Sequence, residues 1–224
     1  MKLLDLDLEN EMHVQTSLRI KLGNVAFAVA LASSGCAVPT PKADRFVAPP
    51  IDSTWVVKRS DSGSYGSSTV QVTSTRKEQR WQGEPVIAYE TPGFTQLLRD
   101  NGVLVAFVNG ERPMASFDPD VGFAYPLEVG KTLTSNHRVT LYPAKQIVPM
   151  QVTQKVEAYE DVTVPAGTFK AFRITWSEST GNENIYWNCP ELGISVKSVL
   201  TRTAKHSAGP GRRETELVSQ TIRK

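Results

Sequence analysis

Gly130, Lys131 and Thr132 spell the end of a phosphate-binding loop, in which backbone N–H groups cradle a phosphate and the lysine reaches it. That loop needs a glycine five residues before Gly130, and Tyr125 stands there. Asp118 and Asp120 are two apart, as the ligands of a calcium loop are. Gly122, however, falls one place early and Val129 holds the position of the closing bidentate glutamate, so a turn is the expected reading. His137 and His206 lack a His or Cys at metal-ligand spacing, and their polar neighbours in "SNHRVT" and "KHSAG" read as solvated loops or strand ends. No Gly-x-Ser-x-Gly elbow occurs. A serine or cysteine within hydrogen-bond reach of either histidine would be the mark of a hydrolase. Without one the chain reads as non-enzymatic, with a periplasmic hydrolase as an alternative, and no cofactor is implied.

The four tryptophans, Trp55, Trp81, Trp176 and Trp187, lie in strand-like stretches where large rings normally fill a core. Trp81, Trp176 and Trp187 are the candidates for lining an apolar ligand cavity. The basic cluster Arg212, Arg213, Arg223 and Lys224, interrupted by Glu214 and Glu216, reads as a solvated strand face.

Cysteine chemistry is confined to Cys36 and Cys189. Cys36 closes the stretch "AFAVALASSGC": Arg19 and Lys21, then the apolar run Val25 to Ala32, then the small residues Ser33, Ser34 and Gly35. Basic, apolar, small is the order of a signal peptide, and the run is too short to span a bilayer. The first eleven residues set Lys2 against Asp5, Asp7, Glu9 and Glu11, the opposite of what such peptides carry, which points to Met12 as the start. The residues before Cys36 resemble the lipobox of bacterial lipoproteins, although Ser33 stands where leucine is usual. The resemblance implies that residues 1–35 are removed and that Cys36 is the lipid attachment site. An ordinary signal peptide cut after Ala32, leaving a soluble periplasmic protein, is the alternative. Residues 36–53 follow as a lipidated cysteine and a Pro-rich tether, since four prolines in "AVPTPKADRFVAPP" hold the chain extended. Ala37, by the same resemblance, lacks the aspartate that tends to retain lipoproteins at the inner membrane, so the outer membrane is expected.

Residues 54–224 read as strand after strand. "KAFRITWSE" alternates Phe172, Ile174 and Trp176 on one face, breaks at Gly181-Asn182 and resumes with Ile185 and Trp187. "QVTQKVEAYEDVTV" turns Val152, Val156, Ala158 and Val162 inward and Thr153, Lys155, Glu157 and Asp161 outward. Asn109-Gly110 suits a tight hairpin, and Pro165-Ala166-Gly167 a sharp connection. Only "FTQLLRDNG" offers a short helix. The expected fold is all-β, a single curved antiparallel meander forming a barrel or half-barrel, with a β-sandwich as the alternative. With 25 basic and 23 acidic residues no single-sign field draws in nucleic acid.

"YPLEVGKTL" (125–133), "VTVPAGTFKAFRI" (162–174) and "YWNCPELGISVKS" (186–198) resemble three signatures found in this order in a group of bacterial envelope lipoproteins. These are loosely like the half-barrels of the carriers LolA and LolB. The resemblance implies a curved antiparallel sheet and an envelope location, and no particular reaction. The expected function is an outer-membrane or periplasm-facing lipoprotein that binds an apolar envelope molecule or an envelope protein. A structural or assembly lipoprotein with a filled barrel and no ligand is the rival, and an apolar cavity on the order of 300 Å³ or more would separate the two.

Overall fold

The computed structural model of the chain describes residues 40–222. The leader 1–35, Cys36, and Arg223 and Lys224 lie outside the described residues. Every regular element described is a strand. In chain order they are β1 (Lys42–Ala43), β2 (Thr54–Gly63), β3 (Ser68–Trp81), β4 (Glu84–Thr91), β5 (Phe94–Leu98), β6 (Leu104–Asn109) and β7 (Arg112–Val121), followed by β8 (Leu127–Glu128), β9 (Thr132–Leu141), β10 (Gln146–Val164), β11 (Gly167–Glu178), β12 (Asn182–Cys189), β13 (Ile194–Arg202) and β14 (Gly211–Gln220).

Twelve of these close into an antiparallel barrel in the order β10-β11-β12-β13-β14-β2-β3-β4-β5-β6-β7-β9, while β1 pairs only with β8. Closure removes the bare sheet edges that a meander of this length would leave. The barrel, rather than the sandwich, is the fold.

Alternation sets the inward rows. On β10 Met150, Val152, Gln154 and Val156 are buried, and they lie opposite His137 on β9 and Trp176 and Ile174 on β11. A bulge between Val156 and Ala158 shifts the β10–β11 register. An extra residue there bends the strand, and this pair of strands contributes to three core clusters. β4 is buried on both faces. Ile87 and Tyr89 join one cluster, and Val86 and Ala88 join another with Leu97, Val105, Ala106 and Val108.

Three expectations change. "FTQLL" forms strand β5, and Leu97 and Leu98, on its two faces as successive strand residues are, are buried in different clusters. Asp118 to Val121 do not form a turn but end β7, where Asp118 pairs with Arg138 and Asp120 with Arg99. The Pro-rich segment is extended but is not a free tether from Thr40 onward. Lys42 and Ala43 pair with Glu128 and Leu127, and Phe46 and Ala48 pack against the largest core cluster. Prolines fix φ without forbidding burial, and Pro49 is itself buried.

Candidate functional site

The connection between β7 and β9 folds over the inward row of β10–β12 and fills the space there. Gln154, buried on β10, holds it by accepting from the Ala124 N–H at 3.0 Å and donating to the Gly122 carbonyl at 3.0 Å. Phe123 meets Tyr186 edge-on at 5.3 Å and Trp176 at 6.0 Å. Tyr125 donates to Asn188 at 3.4 Å, and Leu127 is fully buried among Val156, Phe172 and Ile174. Lys131 closes the connection by donating to the carbonyls of Ala124 and Pro126, each at 2.8 Å. The lysine of the Gly-Lys-Thr tripeptide is thus spent on backbone oxygens. A connection placed inside a barrel needs partners for its own N–H and C=O groups, which Gln154 supplies, while Asn188 accepts from the Tyr125 hydroxyl.

Burial has an electrostatic consequence at the tyrosines. It pushes the Tyr125 hydroxyl up to about 12, and raises Tyr89 and Tyr186 further still. His206 is shifted the other way, held below its ordinary value by burial and then by the charge of Arg202.

The structure does not gather the three candidate cavity tryptophans. Trp176 belongs to the cluster of Val139, Met150 and Val152, and donates from Nε1 to Glu178 at 2.9 Å. Trp187 packs against the largest cluster, donates to Glu160 at 2.8 Å and lies under the Lys197 ammonium. Trp81 covers the cluster of Val86 and Leu97. Trp55 meets Tyr89 edge-on at 4.9 Å in the core. Trp176 alone also touches a hollow. This is an open groove of about 550 Å³ lined chiefly by Thr153, Lys155, Thr175, Ile185, Thr201 and Arg212. Thr153, Lys155 and Thr175 alternate with the inward residues, so the groove lies on the outer face. A smaller hollow of about 220 Å³ beside it is lined by Gln151, Ser177, Glu178 and Lys205 among others. The smaller hollow is mainly polar, whereas the surface of the groove is mainly apolar, with Trp176, Ile185 and Val199 set among the threonines.

Two polar constellations escaped the sequence. His137 is neither solvated nor at a strand end; it sits within β9, 7% exposed. Its Nδ1 lies 2.8 Å from the Pro119 carbonyl, which can only accept, so Nδ1 carries the proton. Nε2 is then the acceptor, and Ser135 Oγ donates to it at 2.7 Å. Hydroxyl, imidazole and orienting acceptor stand in the order that activates a serine nucleophile. The same contacts also satisfy both ring nitrogens of a buried histidine. Neither hollow described above is lined by Ser135.

The second constellation centres on Asp61, whose side chain is 2% exposed. Arg213 grips it with Nε at 2.7 Å and Nη2 at 3.0 Å, and Arg59 Nε stands 3.2 Å away. The guanidinium carbons of Arg202 and Arg213 lie 3.9 and 4.5 Å from the Tyr65 ring centre, within cation–π range. Arg213 therefore belongs to a buried ion pair, not to a solvated face. Among the described residues no group of three His, Cys, Asp or Glu side chains is placed to hold a metal.

No protein-family model matches the chain, and no curated protein matches it. Among solved structures it is similar to a protein from Parabacteroides distasonis described as a lipoprotein, with a TM-score of 0.40 and 11% identity over 80% of this chain and 100% of that one. It is also similar to an exported protein with a YmcC-like fold from Bacteroides fragilis, at 0.43 and 11% over the same 80% and 100%. A third is the hypothetical lipoprotein YmcC from Escherichia coli, at 0.36 and 9% over 75% and 83%. At these identities and scores the likeness carries neither a residue nor a role to this chain.

Proposed function

We propose that the protein is a lipid-anchored protein of the bacterial envelope, held at the periplasmic face of the outer membrane through Cys36. Its barrel works through its outer surface on an envelope partner and does not enclose a small apolar ligand. The observation that carries this reading is chain packed within the barrel. The connection 122–131 occupies the inward rows of β10–β12, and the larger hollow is an open groove on the outer face, lined by threonines and by Trp176, Ile185 and Val199. Of the two lipoprotein readings, this favours the filled barrel. The anchor rests on the order of basic, apolar and small residues that ends at Cys36.

Cys36→Ser tests the anchor. A single acyl chain binds a bilayer only marginally, so stable attachment needs the several chains a lipidated cysteine carries. The variant is expected to lose fatty-acid labelling and mature membrane attachment while its barrel still folds. A wild-type protein that takes up no label and fractionates as the variant does would refute the anchor.

The contact between Ser135 and His137 supports a second reading, a hydrolase with Ser135 as nucleophile and His137 as base. A fluorophosphonate probe is expected to label Ser135 in the folded wild-type protein if this reading holds, and not in His137→Ala. A wild type that stays unlabelled assigns the contact to packing alone.

A further inference from the structure

The anchor and the barrel are closer together than the Pro-rich sequence suggests. Four Cα-to-Cα steps separate Cys36 from Thr40, a reach of at most about 14 Å even when fully extended. From Thr40 the chain is fastened to the barrel at successive points. Lys42 and Ala43 pair with β8, and Lys42 Nζ reaches Asp44 at 2.9 Å and Glu128 at 3.4 Å. The Phe46 ring lies against Gly102, where a Cβ would stand 2.5 Å from it, and meets Tyr125 edge-on. The Val47 carbonyl sits against Gly193, at 2.0 Å from where a Cβ would be. Asp52 N–H donates to the Arg76 carbonyl at 2.9 Å as the strap enters β2.

We propose that the strap of residues 40–53, together with β8 and Val129, forms the membrane-facing side of the barrel. The acylated protein then lies against its own bilayer in one orientation and does not stand off on a tether. The inference rests on the lipid-anchor reading above. Its occupant is the bilayer that holds the acyl chains, because covalent reach keeps Thr40, where the strap begins beside β8, close to it. Two further features fit a lipid surface. Val47 and Ile51, 54% and 53% exposed, lie on the strap, and Val129 is exposed beside β8. Lys42 and Arg45 there face Asp44, Asp52 and Glu128, and Asp52 is paired with Lys77 at 2.7 Å, so no positive field draws in anionic lipid and the orientation should not depend on it.

The test uses the mature acylated full chain in neutral phosphatidylcholine vesicles that contain a headgroup-labelled energy acceptor. Fluorophores are attached at Val129→Cys or, as the distant reference, at Ser207→Cys; Cys189 is buried. Ser207 lies in the β13–β14 loop, which meets the far end of β2 where Ser64 N–H donates to the Pro210 carbonyl. Energy transfer is expected to be strong at Val129 and weak at Ser207. Inserting about twenty Gly and Ser residues after Ala37, a coil of roughly 25 Å root-mean-square span, should abolish the difference. Equal transfer at the two sites in the native chain, or a difference that survives the insertion, would overturn the proposal. An intact mass without acyl chains would instead overturn the anchor reading beneath it.

Discussion

Raising the pH past about 10 is expected to unfold the barrel over a narrow interval. In the unfolded chain a tyrosine loses its proton near pH 10. In the barrel burial holds the proton on Tyr125 to about 12 and on Tyr89 and Tyr186 beyond that. Above pH 10 the unfolded state therefore binds fewer protons than the folded one, so stability falls as pH rises. The contribution is fully present below pH 10 and disappears as each folded value is passed. Each tyrosine removes about 1.4 kcal/mol per pH unit, roughly 4 kcal/mol for the three together. That is a large share of the about 5–15 kcal/mol that holds a typical domain folded. Lys197, raised by its hydrogen bond to Glu216, acts in the same direction. Circular dichroism and tyrosinate absorbance, followed together through the titration, should show these tyrosines ionising in the same cooperative step as the loss of β signal. Tyr125→Phe should make the step shallower by one proton. Smooth ionisation with the barrel intact would contradict the burial assigned to them.

Asp61→Asn is expected to destabilise the protein by about 2 kcal/mol. Breaking a fully buried ion pair costs about 3–5 kcal/mol, because the surviving charge is left without a partner. Here Arg59 and Arg213 are 33% and 29% exposed, so water offsets part of that loss. The asparagine keeps the volume and one acceptor, which isolates the charge. Urea unfolding should show a lower midpoint at an unchanged slope, the signature of lost stability without a change in surface exposed. Arg213→Ala combined with Asp61→Asn should cost less than the sum of the two, since both remove one interaction. Additive losses would mean that the pair seen at 2.7 Å does not couple.

Much of the barrel is legible from alternation and turns. Phe172, Ile174 and Trp176 do point inward together, and Pro165-Ala166-Gly167 does join β10 to β11. The partner strand shows where such reading stops. Hydropathy selects Ile185 and Trp187 on β12, yet Ile174 pairs with Tyr186, so the inward row there is Asn184, Tyr186 and Asn188. Those residues find their partners inside the barrel, Tyr186 against the Phe123 ring, Asn188 with the Tyr125 hydroxyl, and Asn184 with Tyr186 and the Thr201 N–H. Nothing local in the sequence encodes that. The helical reading of "FTQLLRDNG" fails for a related reason: a strand buried on both faces shows no period of two. Long-range contacts were equally out of sight. Phe46 against Gly102, Val47 against Gly193 and His137 against Pro119 join positions that only the closed barrel brings together. Trp81, Trp176 and Trp187 are legible as packing rings, but their distribution among three clusters, with only Trp176 buried, depends on which face each strand presents.

The most direct test of the account is the intact mass of the protein extracted by detergent from the membrane fraction. The expected mass is that of a 189-residue chain beginning at Cys36, residues 36–224, and heavier than that sequence by several acyl chains. A chain that begins elsewhere, such as after Ala32, with an unmodified Cys36 would contradict it.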